Sequence, residues 1–215
     1  KQSERTCTAT LTGHEGWVET VTALPDGRVV SGDNDNTLKV WDLNNPEGER
    51  CIATLEGHTN GVDALAVLPD GRVVSGSFDN TLKVWDLNKD EGERCIATLT
   101  GHTGWVNALA VLPDGRFVSG SHDKTLKVWD LNNPKGERCI ATLEGHIGCV
   151  FTVAVLPDGR VVSGYSDGIL EVWDLSKTKG KECIATLTGH TDWVETFTVL
   201  PDGRVVSGSY DNTLK

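Results

Sequence analysis

The 215-residue sequence predicts an all-β fold in which five four-stranded antiparallel sheets stack face to face as a β-propeller. The first observation behind this is a 44-residue period. Gly-His recurs at Gly13-His14, Gly57-His58, Gly101-His102, Gly145-His146 and Gly189-His190; Pro-Asp-Gly-Arg starts at Pro25, Pro69, Pro113, Pro157 and Pro201; Trp-Asp starts at Trp41, Trp85, Trp129 and Trp173. Residues 51–94 and 95–138 are identical at 34 of 44 positions. The second is that hydrophobicity within a unit alternates with a period of two rather than 3.6. The third is that each unit holds four short strand segments, apolar on both faces, which can be buried only against neighbouring copies.

In the second unit, Ala64-Leu65-Ala66-Val67-Leu68 runs into Pro69-Asp70-Gly71, where Pro presets φ and Gly is free to take a positive φ. Val73-Val74-Ser75-Gly76 follows, then a second turn at Ser77-Phe78-Asp79-Asn80, then Thr81-Leu82-Lys83-Val84-Trp85 with alternating polarity. A polar connection from Asn88 to Arg94 leads to the last strand, Cys95-Ile96-Ala97-Thr98-Leu99.

Composition narrows the function classes. With 38% hydrophobic residues the chain can bury a full core as a single domain over 1–215, and it has no apolar run long enough for a membrane helix, so a soluble protein is expected. A net charge of −11 with scattered Lys and Arg argues against nucleic acid and anionic membranes as partners. Cys7, Cys51, Cys95, Cys139 and Cys183 follow the repeat period, which puts them on different sheets, too far apart to bridge. They are expected as small buried apolar residues of a cytoplasmic, reducing compartment; Cys149 alone breaks the period.

The Gly-His, the Ser-Gly-Ser-x-Asp-x-Thr-Leu-Lys-Val run and the Trp-Asp at this period resemble the WD-repeat β-propeller family over the whole chain. The resemblance implies that the strand before each Gly-His is the outer strand of one blade and that the next three are inner strands of the following blade. The N-terminal stretch 5–12 would then be an outer strand that pairs with the last repeat or with another chain. The sequence stops at Thr213-Leu214-Lys215, before the fifth Val-Trp-Asp.

Each unit also repeats a His, a Ser and an Asp, joined in the first four units by a Trp, a set whose first three members suggest acyl transfer. Fivefold recurrence, the missing Gly-x-Ser-x-Gly elbow and the serines' strand positions argue for structure and against an enzyme. An indole N–H can donate to the Ser hydroxyl, the hydroxyl to the imidazole, and the imidazole N–H to the carboxylate, so every buried group is paired. The resemblance implies the same network. The sets are His14, Ser31, Asp35, Trp41; His58, Ser75, Asp79, Trp85; His102, Ser119, Asp123, Trp129; His146, Ser163, Asp167, Trp173; and His190, Ser207, Asp211 without its Trp. Asp33-Asn34-Asp35-Asn36 starts like a calcium loop but lacks the later Gly and the Glu at the twelfth position, so no metal is expected, and nothing points to a cofactor.

Between near-identical copies the differences are informative. They concentrate in three columns: Trp17, Gly61, Trp105, Cys149, Trp193; Glu19, Asp63, Asn107, Phe151, Glu195; and Asn34, Phe78, His122, Ser166, Tyr210. The first two open the inner strand and the third lies in the turn between second and third strands, so all are expected at one end of the sheets, around the central channel. Aromatic anchors beside carboxylates suit a non-catalytic scaffold that binds a protein or peptide, in particular a cationic one. A multivalent carbohydrate-binding propeller is the alternative, weakened because a repeated sugar site should keep its aromatic in every copy. The fourth unit deviates most, with Cys149, Phe151, Tyr165, Ile169 and Glu171. Five-bladed closure would require about 72° per blade, whereas the resemblance implies rings of about seven blades at about 51°. The five units are therefore expected to form an arc of a larger ring, completed by further sequence or by self-association.

Overall fold

The computed structural model describes residues 7–134, 136–176 and 182–215. Blade 1 comprises β1 (Val18–Ala23), β2 (Val29–Asp33), β3 (Leu38–Trp41) and β4 (Cys51–Leu55); blade 2 comprises β5 (Val62–Val67), β6 (Val73–Ser77), β7 (Leu82–Trp85) and β8 (Cys95–Leu99). Blade 3 comprises β9 (Val106–Val111), β10 (Phe117–Ser121), β11 (Thr125–Trp129) and β12 (Cys139–Glu144); blade 4 comprises β13 (Val150–Val155), β14 (Val161–Tyr165), β15 (Leu170–Asp174) and β16 (Glu182–Leu187). Each is an antiparallel sheet in chain order, with the strand before Gly-His outermost. Blade 5 comprises β17 (Val194–Val199) and β18 (Val205–Ser209). A Gly208–Leu214 bridge and the two backbone hydrogen bonds between Ser207 and Lys215 begin its third strand.

The core lies in the seams between blades. Val30, Leu38, Val40 and Leu55 of blade 1 pack with Val62, Val73 and Trp85 of blade 2, and Val74, Leu82, Val84 and Leu99 of blade 2 pack with Val106, Phe117 and Trp129 of blade 3. Each such side chain contributes about 1.5–3 kcal/mol when fully buried. Gly76 shows why the second strand carries glycine: a Cβ there would sit 2.7 Å from Val106 Cγ1 of the following blade. The small residue lets the next sheet approach.

Blades 1 and 5 each leave apolar side chains uncovered that the inner blades bury. Val18 is 56% exposed, whereas its counterparts Val62, Val106, Val150 and Val194 are fully buried; Val21 is 67% exposed and Leu214 73% exposed. Residues 7–12 form no strand and pair with none of the described strands, and residues 5 and 6 of the expected outer strand lie outside the described residues. Thr10–Thr12 instead border a groove with Trp41 and Cys51, as Thr54–Glu56 do with Trp85 and Cys95.

The cysteines require a correction. All six are free, but none is buried: Cys7, Cys51 and Cys183 are exposed and the other three are half-buried. Outer strands form the rim of each blade, where no further strand covers them. Among the described residues no helix is long and apolar enough to cross a membrane.

Candidate functional site

The repeated polar network sets the frame of the site. In blade 3 the Trp129 indole N–H donates to Ser119 Oγ at 2.7 Å, Ser119 donates to His102 Nε2 at 2.7 Å, and His102 Nδ1–H donates to Asp123 at 2.7 Å. Blade 2 repeats this with Trp85, Ser75, His58 and Asp79, and blade 1 with Trp41, Ser31, His14 and Asp35. Blade 5 keeps the His190 bonds to Ser207 and Asp211, each 2.8 Å. Burial alone would raise the Asp79 and Asp123 carboxyls, but hydrogen bonds from the histidine, the threonine two residues on and a loop N–H outweigh it and hold both well below the usual range. Asp35 is held at about 2 by the same balance.

The fourth blade does not form the expected chain. Trp173 still donates to Ser163 at 2.8 Å and His146 still meets Asp167, but Ser163 donates to the Tyr165 hydroxyl at 3.1 Å instead of to His146. Tyr165 occupies the position of Ser77, Ser121 and Ser209, and its ring is fully buried where the imidazole would reach inward. Burial, then a hydrogen bond to Glu171, push its hydroxyl pKa up. Gly145 lacks the positive φ of 143–146° that Gly13, Gly57, Gly101 and Gly189 share, so the Gly-His loop runs differently here.

Blade 1 differs at Asp33, also in the Ser77 position. Its fully buried carboxylate accepts from Asp35 N–H at 2.8 Å and Gly16 N–H at 3.3 Å and lies 3.1 Å from His14 Nδ1. His14, Asp33 and Asp35 thus bring three potential metal-ligand atoms within 4.8 Å, the one such group among the described residues. Those atoms already meet one another and loop N–H groups.

The three variable columns meet at one end of the sheets. A backbone hydrogen bond ties the first to the third in every blade: Asn34 N–H to Trp17, Phe78 to Gly61, His122 to Trp105, Ser166 to Cys149 and Tyr210 to Trp193, all 2.9–3.1 Å. The second column sits at a β-bulge each time, since the register shifts across Glu19, Asp63, Asn107, Phe151 and Glu195. A bulge leaves its residue unpaired and re-aims its side chain. All five blades consequently contribute to a single cavity of about 470 Å³, lined by Glu19, Asp63, Phe78, Trp105, Asn107, His122, Phe151, Trp193 and Glu195. Trp17, Asn34, Cys149, Ser166 and Tyr210 do not line it: Trp17 is exposed, Asn34 donates to Glu19 at 2.9 Å, and Ser166 accepts from Cys149 N–H at 2.9 Å.

The aromatic members form an unbroken chain across four blades. Ring centroids are 4.7 Å apart for Phe78–Trp105, 4.8 Å for Trp105–His122, 5.2 Å for His122–Phe151, 5.1 Å for Phe151–Trp193 and 5.7 Å for Trp193–Tyr210. These separations are those of favourable aromatic pairs. Facing them are three carboxylates. Burial, reinforced by Glu19 and Glu195, pushes Asp63 up to about 7, and burial pulls His122 down. The column comparison found these positions; the bulges that turn them inward and the carboxylate convergence carried no signal in the repeat pattern, which marked Tyr165 and Glu171 as departures but not as partners.

A scaffold of stacked four-stranded blades with a pinned Gly-His loop and one channel-mouth cavity is the architecture of a β-propeller. The family described as WD domain, G-beta repeat matches at residues 5–42, 49–86, 93–130, 137–174 and 181–215, and the chain belongs to this family. The chain is also similar to nuclear distribution protein PAC1 of Scheffersomyces stipitis, 50% identical over 38 residues, which covers 17% of this chain and 7% of that protein.

Proposed function

We propose that the chain is a non-catalytic scaffold that binds a protein segment on its Gly-His-loop face, with the cavity shared by the five blades at the centre of contact. The observation that carries this reading is that every residue lining the aromatic and acidic hollow belongs to the three columns in which the otherwise similar copies differ. Rings with few rotamers supply contact area, and carboxylates select for positive charge. The partner is accordingly a cationic peptide or protein segment rather than nucleic acid or a membrane. The opposite face supports no such reading: its five turns pair each Arg with its own Asp, as Arg72 with Asp70 at 2.6 Å. Ser119 is fully buried and already engaged by Trp129 and His102, which supports a structural role for the triad.

The free thiols fit a cytoplasmic location, and the exposed Val18, Val21 and Leu214 fit self-association at the ends of the arc. The test of the binding face is selection of displayed peptides on the immobilised chain, followed by Trp105→Ala. Binding should fall at least about tenfold with the melt unchanged. Loss of binding in Arg116→Ala, with Trp105→Ala silent, would place the site on the other face.

A further inference from the structure

The cavity's polar groups restrict what can occupy it. Glu19, Asp63 and Glu195 reach it from blades 1, 2 and 5, and no Lys or Arg lines it. Asn107, from blade 3, spends its amide N–H on the Val150 carbonyl at 3.4 Å, and its amide oxygen is buried without a hydrogen-bond partner. Among the described residues no hydrogen bond reaches the carboxylates of Asp63 or Glu195 either. The walls therefore offer carboxylate acceptors from three blades and no cationic donor to match them, so the occupant must bring the donors. Between them stand the rings of Phe78, Trp105, His122, Phe151 and Trp193, which favour a flat cation over a hydrated one.

Resting on the binding face proposed above, we infer that the cavity is a socket for one arginine side chain of the partner segment. A guanidinium is planar, carries five N–H donors in fixed directions and is weakly hydrated, so it can serve acceptors on several sides while lying against aromatic rings. A lysine ammonium has three donors on a compact, strongly hydrated head and leaves more of these acceptors unserved. Citrulline, with the same shape and no charge, keeps the packing and loses the attraction to the carboxylates of Glu19 and Glu195 and, above about pH 7, of Asp63.

The experiment uses the intact chain and three fluorescent peptides, Gly-Gly-X-Gly-Gly with X arginine, lysine or citrulline, titrated to millimolar protein by fluorescence polarisation. The arginine peptide should saturate, the lysine peptide should bind several-fold more weakly, and the citrulline peptide about tenfold or more weakly. Asp63→Asn and Glu195→Gln should each weaken the arginine peptide by about tenfold without lowering the melting temperature. Equal binding of arginine and citrulline, tighter binding of lysine, or no saturation of the arginine peptide overturns the socket. Selected peptides that lack arginine yet depend on Trp105 would overturn it too, while leaving the binding face standing; indifference to Trp105→Ala would remove the face itself.

Discussion

Asp63 is the residue of the candidate site whose surroundings bear most on stability. Its carboxyl, raised from an ordinary 3.8 to about 7, is protonated in the folded chain over a range in which the unfolded chain has already ionised it. A raised folded value contributes stability that is complete below about pH 4 and is lost as pH rises through about 7. Glu19 and Glu195 face it with like charge, and His122, whose own pKa is lowered, lines the same cavity and supplies little counter-charge at neutral pH. Asp63→Asn should therefore raise the melting temperature at pH 8 and leave it nearly unchanged at pH 4, as scanning calorimetry would read. The network carboxylates have the opposite sign: Asp35, lowered from 3.8 to about 2, supports the fold above about pH 4 and loses that support only as pH falls through about 2. Lys124 tests backbone strain. It adopts a φ of 70° where Asn36, Asn80 and Asn212 have similar values and Gly168 has 82°. Lys124→Asn should stabilise the chain by about 0.5–1 kcal/mol in urea titration, since asparagine tolerates the left-handed region better than lysine.

Among the elements, blade 4 shows how two substitutions can make each other tolerable. Tyr165 enters the space of the usual serine and bonds Ser163, while Glu171 replaces the lysine that elsewhere donates to the outer-strand threonine, as Lys83 does to Thr98 at 2.9 Å. The buried Glu171 carboxylate accepts from His146 N–H at 3.2 Å and neighbours the Tyr165 hydroxyl. Tyr165→Ser alone should destabilise by about 1–3 kcal/mol, because it removes a partner from a buried carboxylate. Adding Glu171→Lys should recover most of the loss, and a double-mutant cycle by denaturant titration would measure the coupling. In the regular blades, His102→Ala should cost a similar amount by leaving Ser119 and Asp123 without their partner. An esterase signal abolished by Ser119→Ala at unchanged melting temperature would contradict the structural role.

Across the described residues a seam is built four times between successive blades, and the side chains that would form a fifth are exposed. Blade 1 presents Val18 and Val21, and blade 5 presents Leu214 beside Gly208, whose absent Cβ would meet nothing nearer than 3.3 Å. The two faces correspond to the two halves of every internal seam, so head-to-tail association is the expected outcome. Light scattering should report a mass that rises with concentration, and Val18→Glu with Val21→Glu should hold it at that of the single chain. Concentration-independent mass in the parent chain would count against association through these faces.

The sequence by itself determined the blades, because strand alternation, turn residues and the His-Ser-Asp-Trp spacing are local and were repeated often enough to read without a template. It also singled out the columns from which the candidate face is drawn, since the differences between copies concentrate there. Only the tertiary structure decided how those columns work together. Asp63 is acidic in the sequence but becomes reluctant to ionise because burial and the carboxylates of Glu19 and Glu195, brought from blades 1 and 5, converge on it. The loss of the His146–Ser163 bond likewise required knowing that Tyr165 fills the space between them. Patterning fixes which way a side chain leaves its own strand, whereas a site assembled from five sheets depends on distances between residues up to 176 positions apart, from Glu19 to Glu195.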